Sequence, residues 1–406
     1  MTTTHDSAET KKEILIDGYF YDITSFAKIH PGGRVIEYYA KNGEDSTLAI
    51  QQLHRRSIEK VRKTISTLKR RPATNSEIGL DPIVLEKNRS FTEDFTKLYL
   101  ELESEGCFTT SYTQALIRLV EVFVFTGIGL KFFSQHSVLK AVGFIFILIG
   151  RVRAAFLVHE IAHFSYTGHP KIDRIMASLV DGFFVGLSGS RWRNQHNRHH
   201  AMPQRLNHDI DLETMPLLAY NAKVIREAKD GKGFLLQNQA YLFVFDTLLV
   251  GMIWTLYQDP KYVLKHKSYV DLVALIGHYV LYYHLGFWTW LFCLWGVAFY
   301  FVLTFSLNHT FLPVTTEPTH WIEYALHHTA DVQHEPLYDW ATGYLNYQIE
   351  HHLFPTIPNF RLSSIKHRVR ALAEKHNISY HIHTYPEAVR KTFNNLSDVS
   401  EQVKQT

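Results

Sequence analysis

Cysteine is almost missing: Cys107 and Cys293 are the only two in 406 residues, so the chain can build neither a disulfide framework nor a thiolate zinc site. That fits a protein facing a reducing compartment. The opening residues, Met1 to Glu13, lack the apolar core of a signal peptide, and the first domain is expected to stay on the cytosolic side. Charge of one sign is scarce as well. Lys and Arg number 42 against 39 Asp and Glu, for a net +3, and no long basic stripe interleaves with aromatics, which excludes nucleic acid as a partner. Repeats and low-complexity tracts are absent. What the chain has in quantity is apolar surface, 46% of residues with 14% aromatic, and histidine, 25 copies. The first is ample for a large core or membrane spans in two domains or more. The second needs a chemical reason.

The histidines fall in a pattern. His159 and His163 are four apart; His196, His199 and His200 stand at i, i+3 and i+4; and Gln348, His351 and His352, inside Asn346 to Pro355, repeat that triplet. On helices each set shares one face within chelating reach, and a metal cluster fed by three helices explains all of them together. His159-Glu160-Ile161-Ala162-His163 alone matches the zinc-protease pattern of two ligands and a general base. A zinc hydrolase needs only one more protein ligand, however, and seven histidines plus Gln348 are too many for one metal.

In chain order, residues 12–71 read as a small domain: an alternating stretch from Ile14 to Phe20, then Tyr21-Asp22-Ile23-Thr24 and the turn His30-Pro31-Gly32-Gly33, which holds the imidazole at a defined angle. Asp-Gly-Tyr-Phe-Tyr-Asp-Ile-Thr-Ser-Phe before His-Pro-Gly-Gly, with His54 following 24 residues later, resembles cytochrome b5. The resemblance implies an α+β fold shortened at its start and haem b held between His30 and His54 as axial ligands, a one-electron carrier. The basic run Arg55, Arg56, Lys60, Arg62, Lys63, Lys69, Arg70, Arg71 reads as a solvated helix face suited to anionic headgroups. Residues 72–106 read as a polar linker and a charged amphipathic helix, with Phe91, Phe95, Leu98 and Leu102 as a packing stripe.

Apolar runs dominate residues 107–390. Spans are expected at about 112–133, 138–158, 269–284 and 287–307, against the roughly 20 residues a bilayer needs. They form two tight hairpins, and Arg118 and Glu121 pair or snorkel at i, i+3 in the first span. The stretch Ile175 to Leu187, short and interrupted by Asp181, reads as an interfacial helix. Two hairpins put every histidine group and His30 on the cytosolic face, in keeping with the Lys and Arg of the central segment. Residues 391–406 read as a polar tail.

Two metals held mostly by imidazole, beside a one-electron carrier, suggest iron and oxygen chemistry. A site at the membrane face implies a substrate with a long alkyl chain and a polar head, drawn from the bilayer into a dry tunnel. The stretches His159 to His163, Trp192 to His200 with Asp209-Ile210-Asp211 beyond, and Asn346 to Pro355, together with the haem motif, make the chain from about Lys12 to Arg390 similar to the front-end fatty acid desaturases. That is a membrane family with a fused N-terminal cytochrome b5 domain. Gln348, where other membrane desaturases carry His, marks the front-end group.

The resemblance implies a mainly α fold: a small α+β haem domain, then a four-span helical integral membrane domain with a cytosolic, histidine-rich di-iron cap. Two iron ions would be bound by His159, His163, His196, His199, His200, Gln348, His351 and His352, with His309 as a further ligand and Asn308 orienting its ring. Glu160, where the family has Asp, is expected to accept a hydrogen bond from a ligand imidazole. Trp192, Asp209, Asp211 and Trp340 are placed at the head-group entrance, and His169, His208, His327, His328 and His334 at caps or the surface. Electrons would come from NADH through a separate cytochrome b5 reductase. Two hydrogens would leave adjacent methylenes of a polyunsaturated acyl chain, between an existing double bond and the carboxyl end. The expected location is the endoplasmic reticulum membrane, multi-pass with both termini cytosolic, and a homodimer is compatible. Carbon position and acyl carrier (coenzyme A, phospholipid or sphingoid base) are left open. The alternatives are a sphingolipid long-chain-base desaturase of the same family, a membrane zinc metalloprotease and an inactive haem or metal scaffold.

Overall fold

The computed structural model describes residues 10–40, 44–209, 211, 214–227, 233–315 and 320–405; Ile210 of the expected Asp209-Ile210-Asp211 run lies outside the described residues. Alternating apolar residues open the chain as a hairpin. β1 (Glu13–Ile16) pairs antiparallel with β2 (Tyr19–Asp22) across Asp17-Gly18, whose φ angles are 48° and 75°, the hand that matches strand twist. β3 (Arg70–Pro72) returns to pair with β2, so the two ends of this unit lie side by side. Its core is Ile14, Ile16, Tyr21, Ile23 and Ala27, with Ile50 of α1 (Thr47–Leu53) and Ile65 of α2 (Ile58–Ile65) packed on it.

The basic run divides. Lys60, Arg62, Lys63, Lys69 and Arg70 are exposed, as a solvated face requires. Arg55 and Arg56 instead turn inward. Arg55 lies 4.0 Å over the Phe108 ring and pairs with Glu103 at 2.7 Å, while Arg56 donates to the carbonyls of Phe108 and Thr356 at 2.7 and 3.2 Å. Their stems cover apolar surface that water would otherwise meet.

α3 (Pro82–Ser104) starts where Asp81 accepts from the Ile83 amide and Pro82 takes the first turn, a position where the missing amide hydrogen is no loss. Phe91, Phe95, Leu98 and Leu102 are all buried, as their spacing predicts. They join Ile349, Leu353 and Phe354 in one core, with Phe95 and Phe354 stacked at 5.1 Å. Burying each such side chain contributes roughly 1.5–3 kcal/mol, so α3 braces the third histidine box.

α4 (Tyr112–Phe133) and α5 (Val138–Ala162) form the first hairpin. They approach closely because Gly143 has no side chain; a Cβ there would run into the backbone of Phe132 and Phe133. The expected pairing of Arg118 with Glu121 does not form. Arg118 pairs with Glu160 and Glu121 with Arg153, the latter at 2.9 Å, because two charges on facing helices cancel without either leaving the helix packing. α6 (Pro170–Val180) continues into a π turn at Asp181–Val185, short for a span, with Ile172, Ile175, Leu179 and Phe183 exposed along one side. α7 (Gly189–Ala201) carries the second histidine box and is capped by Ser188.

The central segment also holds a long apolar helix that the sequence reading did not separate from its polar surroundings. α8 (Gln239–His266), with a π turn at Trp254–Gln258, packs against α10 (Phe287–His309). Between them in sequence lies α9 (Tyr269–Leu285). By length and composition α5, α8 and α10 can cross a membrane. α4 has the length but carries Arg118, Glu121 and Lys131, and α9 has only 17 residues. Three helices close the chain: α11 (Gln348–Leu353), α12 (Leu362–Lys375) and α13 (Tyr385–Gln405). Residues 391–405 lie within α13, where Leu396, Val399 and Val403 are buried.

Candidate metal centre

Eight imidazoles and one amide converge where the C-terminal ends of α5 and α10 meet α7 and α11. They divide into two groups. His159, His163, His196, His200 and His351 bring ligand atoms within 4.8 Å of one another, and so do His199, His309 and His352. Gln348 joins the second group: its side-chain amide lies 2.9 Å from His309 Nε2, and since amide oxygen and nitrogen are interchangeable by a flip, its oxygen can take that place. Helix periodicity produces the split. On α7, His196 and His200 share a face and His199 turns aside; on α11, Gln348 and His352, four apart, face one group and His351 the other.

All of these residues are buried. Burial, with repulsion between neighbouring imidazoles, pushes His163 down to about 3 and holds His196, His200, His351 and His352 well below the ordinary imidazole range. Each is therefore a neutral lone-pair donor at physiological pH. His199 differs. Burial lowers its pKa, but the carboxylates of Asp209 and Asp211 outweigh burial and hold it above the ordinary value. Its Nδ1 donates to Asp209 at 3.0 and 3.1 Å, and Nδ1 of His309 donates to the His328 carbonyl at 2.9 Å. Such bonds fix the tautomer and free Nε2 for a metal. Partnerless buried nitrogens remain on His159, His163, His199, His200, His351 and His352, and a partnerless oxygen on Gln348. Buried polar atoms are seldom left so, and imidazole-rich metal sites satisfy them.

Several expected roles move. Glu160 meets no ligand imidazole: it is held by Arg118 and accepts from the Asn359 amide at 3.1 Å. A carboxylate so engaged cannot serve as the general base of a zinc protease, so that alternative loses its catalytic group. The signal for this was Arg118, a cation in an apolar run. Asp209 and Asp211 orient His199, with Asp211 also lining the cavity described below. Trp340 sits on the outer side of the hairpin, donating to Glu121 beneath Arg153, and Asn308 donates to the Ala330 carbonyl. His169, His208, His327, His328 and His334 belong to neither histidine group.

Trp192 stacks on His196 at 4.5 Å and opens on two hollows that share Trp192, Val250, Trp254, Phe301 and Val302 as walls. The smaller is walled mainly by apolar residues, Gly251, Leu294 and Val297 among them, with Arg151 and Asp181 also in its lining; the larger carries Gln195, Thr214, Tyr220 and Gln258 and reaches Phe305, which lies 5.5 Å from the His199 ring. Their shared walls join them into a largely apolar passage beside both histidine groups.

Away from this centre, the rings of His30 and His54 have their centres 6.1 Å apart, with planes inclined at 63°. Nδ1 of His30 donates to the Gly33 carbonyl at 3.0 Å and Nδ1 of His54 to the Ile50 carbonyl at 3.2 Å. Two imidazoles sharing one iron, each nitrogen about 2 Å from it, have ring centres about 6 Å apart, so the pair fits opposite axial positions. Gly32 is required here, since a Cβ would come within 2.9 Å of the His30 ring.

A sequence model of the fatty acid desaturase family matches residues 137–384. Curated relatives align along almost the whole chain: an acyl-lipid (8-3)-desaturase of Thraustochytrium sp is 36% identical, covering 99% of this chain and 95% of its own length, and another of Rebecca salina is 37% identical over 96% and 92%. The buried histidine groups beside an apolar passage and the near-full-length likeness lead to one assignment: the chain belongs to the fatty acid desaturase family, oxidoreductases acting on acyl chains.

Proposed function

We propose that this front-end fatty acyl desaturase acts on acyl lipids, with the (8-3) outcome named for its relatives. Two iron ions would be held by the two histidine groups, and haem b by His30 and His54. The observation that carries the reading is the convergence of eight buried imidazoles beside a largely apolar passage. When bound, the iron pair would supply oxygen activation and haem b single electrons, drawn from NADH through a separate cytochrome b5 reductase.

The chain's own residues do the rest. Trp192 and Phe305 wall the passage next to His196 and His199 and keep the reacting methylenes dry. The smaller hollow, walled by Gly251, Leu294 and Val297, takes the alkyl terminus, and Gln195, Thr214 and Gln258 of the larger offer hydrogen bonds to the ester end. Dioxygen takes up the two hydrogen atoms of the two C–H bonds broken, two electrons from NADH and two further protons, and leaves as two waters beside a cis double bond. Residues 12–71 form the haem domain and 107–390 the desaturase domain. The hairpins α4–α5 and α9–α10 supply four spans of the endoplasmic reticulum membrane; α8, tied to α13 at Gln239 and to α7 through Asp259 and Arg191, stays on the cytosolic side with the histidines and both termini.

The test is expression in a host without polyunsaturated lipids, fed candidate fatty acids, with double bonds mapped by mass spectrometry. A new bond on the carboxyl side of an existing one is expected; its absence from protein loaded with iron and haem refutes the reading. His30→Ala should abolish product while iron stays bound. Normal product from that variant, with no free cytochrome b5 present, rejects the fused donor.

A further inference from the structure

We propose that the haem-binding unit is a permanently seated donor, held against the metal-binding half by an interface of its own and not by its tether; this rests on the haem reading above. The seat is α7, the helix that carries His196, His199 and His200. Tyr39 donates its hydroxyl to the carbonyl of Ala201, the residue after His200, at 2.5 Å. The Tyr38 hydroxyl accepts from Arg198, the residue before His199, at 2.9 and 3.1 Å, and its ring lies 4.3 Å from His208. Glu44 pairs with Arg205 at 2.5 Å, both side chains under 8% exposed at 7% and 6%.

Apolar packing runs across the same boundary. Leu48 and Ala49 of α1, the helix that ends at His54, are buried in one core with Phe91, Ile349 and Leu353. Swinging the unit away would expose those side chains and strip a buried ion pair of its partner, which the exposed segment Thr74–Gly79 does nothing to offset. A donor held only by a tether delivers electrons at a rate set by its effective concentration, which falls as the tether lengthens. A seated donor does not depend on tether length. At each transfer the haem-binding unit is oxidised by one electron and the iron pair reduced by one, with NADH as the ultimate reductant, so two transfers serve each double bond.

The test uses the full-length, haem- and iron-loaded protein with Gly/Ser insertions of increasing length, one bearing a protease site, between Gly79 and Leu80. After cleavage the two pieces should co-elute in size-exclusion chromatography, a readout that needs no turnover. The rate of haem reoxidation on mixing reduced protein with acyl lipid and oxygen should be the same at every insertion length. Tyr38→Phe/Tyr39→Phe/Glu44→Gln removes the polar contacts without touching a histidine box. With iron content unchanged, it should slow reoxidation about tenfold and make it dependent on insertion length. Separation of the cut pieces, or a rate that falls with insertion length in the otherwise unaltered chain, overturns the proposal. So does a triple variant that behaves as the parent, since the seat then lies elsewhere. Loss of the haem spectrum in the parent chain would instead overturn the haem reading and leave the co-elution result standing.

Discussion

Asp209→Asn tests the division of the histidines into two groups. Asp209 is 2% exposed and accepts from His199 Nδ1, from the Gln204 amide at 2.8 Å and from the Asp211 amide at 3.0 Å. An asparagine has one acceptor oxygen where the carboxylate had two. The Gln204 amide bonds Oδ2 and the Asp211 amide Oδ1, with His199 Nδ1 within 3.1 Å of both, so in an asparagine one backbone donor loses its acceptor and the new NH2 group, which can only donate, competes for His199 Nδ1. The ring proton then moves to Nε2, the nitrogen needed for metal. Groups that orient a metal-binding imidazole are worth about 10–100-fold in metal affinity, or about 1.4–2.7 kcal/mol. Asp211, 3.3 Å from the same nitrogen, moves the expectation toward the lower end. The assay is iron per chain as a chelator is titrated into purified protein. The variant should release one of two iron ions at about 10–100-fold lower chelator while the second follows the parent curve. Release of both ions together, or a curve identical to the parent, refutes the two-group reasoning.

Other substitutions reach other parts of the molecule. At Gly251 a Cβ would lie 3.0 Å from the Ala298 Cβ and 3.4 Å from Leu294, both in the wall of the smaller hollow, so Gly251→Leu should narrow that hollow. The longest acyl chains should be lost by roughly 10–200-fold relative to shorter ones, read by feeding mixtures and comparing products. Arg118→Met leaves Glu160 buried without its cation and should destabilise the protein by about 3–5 kcal/mol, seen as a lower thermal midpoint; Arg118→Met/Glu160→Met should regain most of it. Burial and the nearby His30 push His54 down to about 4, whereas the unfolded chain binds a proton near 6.5. In haem-free protein the stability of residues 10–72 should therefore be full above pH 6.5. It should fall as pH drops from 6.5 to about 4 by at most roughly 3 kcal/mol, and stay level below. Limited proteolysis against pH measures this, and His54→Gln should flatten the curve.

Much of the centre was legible because metal-binding geometry is local. The i, i+3, i+4 spacings lie within single helices, so α5, α7 and α11 each announce the histidines that they bring to the cluster. The stripe Phe91, Phe95, Leu98 and Leu102 was legible for the same reason. What escaped was long-range or masked by composition. Nothing near Glu160 in sequence names Arg118 as its partner, 42 residues away, and the pairing of Glu121 with Arg153 again joins two helices. Asp209 and Asp211 were recognised as polar residues near the site, but their bond to His199 depends on how the chain folds back after α7. α8 was hidden because Lys-rich segments flank it and Asp246 interrupts its apolar run. The contacts of Tyr38 and Tyr39 with α7 span about 160 residues, beyond any local pattern.

His199 and His200 are neighbours in sequence yet serve different groups, and so are His351 and His352. Consecutive Cα atoms are about 3.8 Å apart and consecutive side chains diverge by about 100° around a helix. The spacing of the two histidine groups, and of any metal ions they hold, is thus clamped on two sides by single peptide units. Rolling α7 or α11 about its axis would carry ligands toward one centre and away from the other, so neither can be retuned alone. Loops elsewhere can lengthen at little cost, but one residue inserted between His196 and His200 would send a ligand of each centre to the wrong side.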